Sequence, residues 1–417
     1  MNELQDTLRD ELQKKPKKKA GFATGLITGL VLATVLSVFV FLALYPVMYA
    51  NHVSAEESET DAIINSEAEE KINLIDQTIR ENYYKDDVDV EAKRTEIYRG
   101  LVRSLGDVYS VYYTAEEYAE LMQQNEGIYY GIGAYVSFNE ELMRAYVSGV
   151  IPGSPAEEAE LKENDIIWTV NGESTEGLQT DQVASMIRGP EGTQVVVGIR
   201  RDGEDMEFTL TRRKVEHQTV TGRMLDDNIG YLQLSGFEDV THGQFLEVYQ
   251  DLQNQGMQAM VLDLRGNPGG LLSSVVRIAG EILPKGEIVY TIDKYGNREA
   301  HTSDGKNEIQ IPLAVLINGS SASASEILSG AIKDYDKGTL VGTTTFGKGI
   351  VQRTFPFEDD SAVKLTISDY YTPDGNNIHG VGIEPDVVIE FDAEAYEKDE
   401  TDNQLDKAVE ILKKQMQ

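Results

Sequence analysis

Two stretches of the sequence carry side chains suited to nucleophilic chemistry. The run Ser320-Ser321-Ala322-Ser323-Ala324-Ser325 follows the apolar segment Leu313 to Ile317 and opens a helix-prone stretch. A serine at a strand-to-helix turn is well placed for attack, because backbone N–H groups at the helix start can hold an oxyanion. The same residues also read as helix caps and as small residues that permit close packing. A nucleophilic serine needs a base, and the five histidines (His52, His217, His242, His301, His379) are scattered without a partner pattern. Lysine serves if it is neutral. At its reference pKa only about one amine in 2,500 is unprotonated at pH 7, and burial is what lowers that pKa. Lys348 lies between Gly347 and Gly349 in an apolar, hydroxyl-rich stretch, a setting for desolvation and equally for an ordinary solvated turn.

Two glycine-rich stretches bear on the same chemistry. Gly342 to Lys348 fits the phosphate-binding spacing G-x-x-x-x-G-K, but the next position needs Ser or Thr for magnesium and has Gly349. Ile350 to Phe357 moreover reads as a strand, where a phosphate loop needs a helix N-terminus. Leu262 to Leu271 (LDLRGNPGGL) reads as a buried strand and a turn whose glycines free the backbone to approach a ligand, or as a tight connection and no more.

The elements that would position these residues follow from patterning. The 417 residues hold 37 Lys+Arg against 71 Asp+Glu, a formal charge of −34, which argues against a nucleic-acid partner. No cysteine is present, so disulfides, thiolate metal sites and cysteine nucleophiles are excluded. No metal or organic cofactor is expected. A basic tail over 1–20 precedes an apolar span over 21–49, long enough for a transmembrane helix. Basic residues before the span and acidic ones after it put the N-terminus in the cytoplasm and the rest outside. Cleavage near Ala50 or Ala55 would make it a secretory signal, with the remaining chain outside in either case.

A polar linker over 50–70 leads to a helical region over 71–115, where Ile72, Ile75 and Ile79, then Ile97, Leu101 and Leu105, fall at helical spacing around a break at Asp86-Asp87. Residues 116–213 read as a β-rich domain. Over 214–392, apolar strand runs alternate with helical stretches near His242 to Gln253, Leu271 to Leu283 and Ala322 to Tyr335, which predicts an α/β core. The tail over 393–417 is charged and helix-prone, with Leu405, Val409 and Leu412 on one face, suited to docking on another subunit.

The run NGSSASASEI from Asn318 to Ile327, TFGKGIVQ from Thr345 to Gln352 and LDLRGNPGG over 262–270 together resemble the carboxy-terminal processing proteases. These are serine peptidases with a Ser/Lys pair and an inserted PDZ domain, and the likeness runs over roughly 70–395. It implies a multidomain α/β (α+β) chain: a crotonase/ClpP-like protease core, the inserted PDZ domain, helical N- and C-terminal segments and one N-terminal transmembrane helix. It makes Ser323 the nucleophile, Lys348 the general base and Gln352 the residue that orients the lysine, with an oxyanion hole from the N–H groups of Gly269 and Ala324. Many members have Gly where this chain has Ser320. Asp334 falls where some members have an implicated acid, and is read here as structural.

Gly131, Ile132, Gly133 and Ala134, with Ser148 to Gly172, resemble the carboxylate-binding loop and body of a PDZ domain, which takes a peptide's C-terminus as an added strand. Arg188 resembles an arginine that couples PDZ position to the active site. The expectation is a single-pass membrane peptidase with its catalytic part extracytoplasmic. It would act on proteins or peptides with free apolar C-termini and form a homodimer through the helices of 70–105 and the tail. The alternative is a catalytically inactive PDZ scaffold that holds exported proteins.

Overall fold

The computed structural model describes residues 62–85 and 89–417. The basic tail over 1–20 and the apolar span over 21–49 lie outside the described residues. Among the described residues no helix is long and apolar enough to cross a membrane. The chain divides into a unit ending at Asp89 and a second from Val90 to Gln417. In the first, α1 (Ser66–Asn82) begins where Asn65 Oδ1 accepts a hydrogen bond from Ala68 N–H at 2.9 Å. Glu67 and Glu69 in its first turn and Arg80 in its last complement the helix dipole. Ile72, Ile75 and Ile79 are all exposed.

The second unit opens with α2 (Val90–Arg103), β1 (Val111–Tyr113) and α3 (Ala115–Glu126). A capping box between Thr114 and Glu117 starts α3, and Gly127, with φ of 70°, ends it. Strand β2 (Ile128–Gly131) then leads into a separate small domain. It comprises β3 (Ala134–Asn139), β4 (Arg144–Val150), α4 (Pro155–Glu158), β5 (Ile166–Val170), β6 (Glu173–Ser174), α5 (Thr180–Ile187), β7 (Gln194–Arg201) and β8 (Glu204–Thr211). The sheet order is β3-β4-β5-β7-β8, with β6 on β5, around a core that includes Val147, Ile167, Val183 and Val197. The chain leaves through β9 (Arg213–Glu216), which pairs antiparallel with β2. The two ends of the domain therefore lie side by side, the geometry that lets a domain be inserted without parting its host.

The host core follows: β10 (Val220–Met224), β11 (Ile229–Leu234), α6 (Thr241–Asn254), β12 (Ala259–Asp263), α7 (Leu272–Ile282), β13 (Gly286–Asp293), β14 (Arg298–Ser303), β15 (Leu313–Ile317), α8 (Ala324–Asp334), β16 (Thr339–Gly342), β17 (Ile350–Pro356), β18 (Ala362–Tyr371), β19 (Val387–Val388), α9 (Ala393–Asp399) and α10 (Asn403–Gln415). Its main sheet runs β10-β11-β12-β15-β16-β19, parallel except for β10. Met260, Leu262, Val315 and Ile317 face α6, α7 and α8, whereas Ala259, Val261, Ala314 and Leu316 face α10. Every residue of β12 and β15 is buried, which is why both strands read as unbroken apolar runs. A second sheet, β1-β18-β13-β14 with β17 on β18, carries the hairpin β13–β14, which the sequence pattern did not suggest. Strand β14 (REAHTS) is mostly exposed and lacks alternation, so it has no strand signature.

The tail corrects one expectation. The face of α10 that was assigned to another subunit packs on this chain's own sheet, with Ala408 and Leu412 fully buried and Leu405 and Val409 partly so. Without α10 the second face of a parallel sheet would lie open to water. Arg265 locks the helix down, reaching Asp263 at 2.6 Å and Asp402 at 2.7 Å. Replacing Leu412 with Ala should lower unfolding stability by about 2 to 5 kcal/mol, the usual range for a buried leucine, read from urea denaturation.

Candidate active site

The serine run sits at the C-terminal end of β15, where helix α8 begins. Two of its serines are structural: Ser321 Oγ donates to Leu264 O at 2.8 Å and Ser325 Oγ to Asn267 O at 2.9 Å, and both are fully buried. They tie this turn to the Arg265–Gly270 turn. Ser320 is exposed, and its N–H donates to Asn318 Oδ1 at 3.1 Å. Ser323 differs from all of them. It is only half-buried between buried alanines, and its φ of 55° with ψ of −111° is a strained backbone for a residue other than glycine.

What holds Ser323 in that conformation is the Glu326 carboxylate, one turn into α8 and fully buried. Its Oε2 accepts from Ser323 N–H at 2.7 Å and from Lys348 N–H at 2.8 Å. Its Oε1 accepts from Thr345 Oγ1 and from Gly347 N–H, both at 2.6 Å. The Tyr370 hydroxyl adds a second bridge, lying 3.0 Å from Ser323 O and 2.5 Å from Lys348 O. The glycines beside the lysine are explained by close approach: a Cβ on Gly349 would lie 2.5 Å from His379 N, and Gly347 has φ of 89°. The apparent phosphate loop is therefore a carboxylate cradle. Its N–H groups hold an anion supplied by the chain itself, and β17 follows in place of a helix.

The Lys348 amine lies over the Tyr109 ring, 4.6 Å from its centroid. Burial, aided by the nearby charge of Lys364, holds its pKa below the ordinary lysine value, against the opposing pull of Asp107 and Glu326. Among the described residues no hydrogen bond joins Lys348 Nζ to Ser323 Oγ. Gln352 corrects a further expectation. Its amide makes no bond to the lysine but reaches Thr366 Oγ1 and Ile350 O, each at 3.4 Å, because Gln352 lies directly across from Thr366 in the β17–β18 ladder.

The two oxyanion candidates differ. Ala324 begins α8, and its N–H has no acceptor among the described residues. Gly269 abuts Ser323 so closely that a Cβ would lie 2.9 Å from Ser323 Cβ, which demands glycine there. Its N–H, however, donates to Asn267 Oδ1 at 2.8 Å. It is thus paired within its own turn and becomes available only when Asn267 moves. Asp334 Oδ2 accepts from Asp374 N–H at 2.9 Å, tying down a turn away from this chemistry.

In the inserted domain, Gly131, Ile132, Gly133 and Ala134 line a cavity of about 260 Å³ together with Ile187 and Arg188. Strand β3 pairs only with β4, so its outer edge is open along this cavity. The Arg188 guanidinium lies over Tyr129, 5.2 Å from the ring centroid. A link that sequence reasoning missed runs from this groove to the core. His217 Nδ1 meets Glu238 Oε1 at 2.8 Å, and that bond raises the histidine pKa. The neighbouring Phe237 accepts from Leu271 N–H and donates to Gly269 O. Glu326 was also missed, although Ser323-x-x-Glu326 is the capping-box spacing that could have found it.

Two family patterns match this arrangement: peptidase family S41 over residues 228–389 and the PDZ domain over 146–201. The chain is 35% identical over 318 residues to a carboxyl-terminal-processing protease of Synechocystis, covering 75% of this chain and 74% of that one. It is 36% identical over 324 residues to a CtpA-like serine protease of Staphylococcus aureus, covering 77% of this chain but only 64% of the relative's length. An S41 protease of Bacteroides fragilis, 19% identical, shares the fold with a TM-score of 0.51, over 82% of this chain and 97% of that one. The chain belongs to the S41 serine peptidases, within the carboxyl-terminal-processing protease family.

Replacing Glu326 with Gln sets an amide N–H₂ against one of the donors that the carboxylate now accepts. The expected result is a stability loss of about 1 to 3 kcal/mol. Peptide cleavage should fall about 100-fold, as for a misplacement of about 1 Å. Denaturation and a cleavage assay on the same sample measure both.

Proposed function

We propose that this chain is a membrane-anchored extracytoplasmic endopeptidase that captures a protein's free apolar C-terminus in its PDZ groove and cleaves with Ser323 and Lys348. The observation that carries this reading is the shared Glu326 oxygen, which accepts from the backbone N–H of both residues and so keeps a strained serine and a half-buried lysine on one wall. In the first step the Ser323 hydroxyl proton passes to neutral Lys348 Nζ as Oγ attacks the scissile carbonyl. The tetrahedral oxyanion is held by Ala324 N–H and by Gly269 N–H once Asn267 Oδ1 has let go of it. Lys348 then gives its proton to the leaving amine, and later takes one from the water that hydrolyses the acyl-enzyme.

The unmade Oγ–Nζ bond and the occupied Gly269 N–H support reading this as a resting arrangement, which substrate binding would complete. Gln352 acts through Thr366 unless the β17–β18 ladder shifts. In the groove, Gly131 to Ala134 would hold the terminal carboxylate while the peptide adds to β3, and Arg188 would report its arrival. The span over 21–49 would anchor the chain, with the N-terminus in the cytoplasm. The apolar face of α1 would serve a homodimer, without α10. Arrest in the resting arrangement would instead make the chain a scaffold that binds C-termini without cutting.

The full chain in detergent, given an unfolded protein with an apolar C-terminus, should yield fragments by mass spectrometry, and Ser323→Ala and Lys348→Ala should each lower the rate by at least about 1,000-fold. The lowered pKa of Lys348 fixes the sign of the pH dependence: the rate rises with pH as the amine loses its proton, with a midpoint below the ordinary lysine value. Binding without cleavage by the wild-type chain would favour the scaffold.

A further inference from the structure

The segment between α2 and β1 reaches the lysine from a part of the chain with no evident catalytic motif. Strand β1 pairs with β18 in the register Val111↔Lys364, which draws residues 107–110 against the lysine loop. There the Tyr109 ring faces Lys348 Nζ at 4.6 Å. Asp107 is fixed beside it: Oδ2 accepts from Ser110 Oγ at 2.6 Å and Thr366 Oγ1 at 2.7 Å, and Oδ1 accepts from Tyr109 N–H at 3.0 Å. No cation within ion-pair distance neutralises this carboxylate among the described residues. The other charged or titratable groups around the amine are Lys364 on β18 and Glu326 on α8, with Tyr370 bonded to the Lys348 carbonyl. Lys364 is itself drawn off onto Tyr113, 5.3 Å from that ring centroid.

We infer that Tyr109 and Asp107 form a platform that positions the Lys348 amine and stabilises the positive charge it acquires on taking the Ser323 proton. The inference rests on the Ser/Lys reading above. A ring face and a fixed carboxylate both attract an ammonium and are indifferent to a neutral amine, so their effect appears as the proton moves. Burial lowers the pKa of the resting amine, and the ring face and the carboxylate oppose that shift, so the platform sets how readily the amine takes up the proton.

The test compares the full chain with Asp107→Asn, Tyr109→Leu and Tyr109→Phe, with Ser323→Ala and Lys348→Ala as controls, and follows kcat, KM and the pH profile of cleavage. Asn keeps the shape but removes the charge, so the acid limb of the profile should move down by about one pH unit. Leucine keeps the amine from water but lacks the ring face, so kcat should fall about fivefold with KM unchanged and the limb should move in the same direction. Phenylalanine keeps the ring face and should return the limb to its wild-type position. Limbs unmoved in both Asp107→Asn and Tyr109→Leu, or Tyr109→Phe as displaced as Tyr109→Leu, would overturn the platform while the controls stay inactive. Cleavage persisting in the controls would instead defeat the Ser/Lys reading itself. A Tyr109→Leu protein that fails to bind a C-terminal peptide is misfolded, and the Asn and Phe comparisons then decide.

Discussion

One buried carboxylate organises the catalytic wall. Glu326 accepts from Ser323 N–H, Thr345 Oγ1, Gly347 N–H and Lys348 N–H, and no side-chain cation lies within ion-pair distance of it among the described residues. A charge buried in this way is tolerated because its oxygens are saturated by donors and because it stands in the first turn of α8, at the positive end of the helix dipole. The consequence is geometric. Two segments 25 positions apart are fixed relative to each other through their backbone atoms, leaving both side chains out of that network. The strain at Ser323 persists because this network over-determines it.

Around that wall the remaining parts have separate physical duties. The two-faced parallel sheet brings the Arg265–Gly270 turn and the serine turn to adjacent strand ends, and Ser321 and Ser325 bind them together. Asn267 keeps the Gly269 N–H occupied in an internal hydrogen bond. His217 and Glu238 join the outgoing strand of the inserted domain to the residue next to Phe237, which is itself paired with the Gly269–Leu271 turn. The groove and the Gly269–Leu271 turn are thus connected through a short run of backbone and one histidine–carboxylate hydrogen bond.

Legibility followed chemistry more than geometry. Ser323 and Lys348 stood out because their motifs are local, Gly269 and Ala324 only through the family resemblance, and the core helices α6, α7 and α8 because apolar periodicity is strong in a buried core. Gln352 was legible as a residue but not as a contact: its partner is set by cross-strand register, which the sequence does not write. The destination of α10 was missed for a related reason. An amphipathic face says that something must cover it, and here the cover is the chain's own sheet. The hairpin β13–β14 escaped because half of it is solvent-facing and polar.

The sequence by itself determined the class of chemistry and the two folded domains, and its family-like motifs picked out Ser323 and Lys348 as candidates for nucleophile and base, since these depend on residue type, local order and apolar pattern. Tertiary structure alone decided how the site is held. Glu326 reaching the lysine loop, Tyr109 and Asp107 meeting Lys348 and Asn267 occupying Gly269 all depend on side-chain direction. All but the Asn267 contact also join residues far apart in the chain. Such contacts come from strand register and close packing, which are properties of the assembled core and of no single stretch of it.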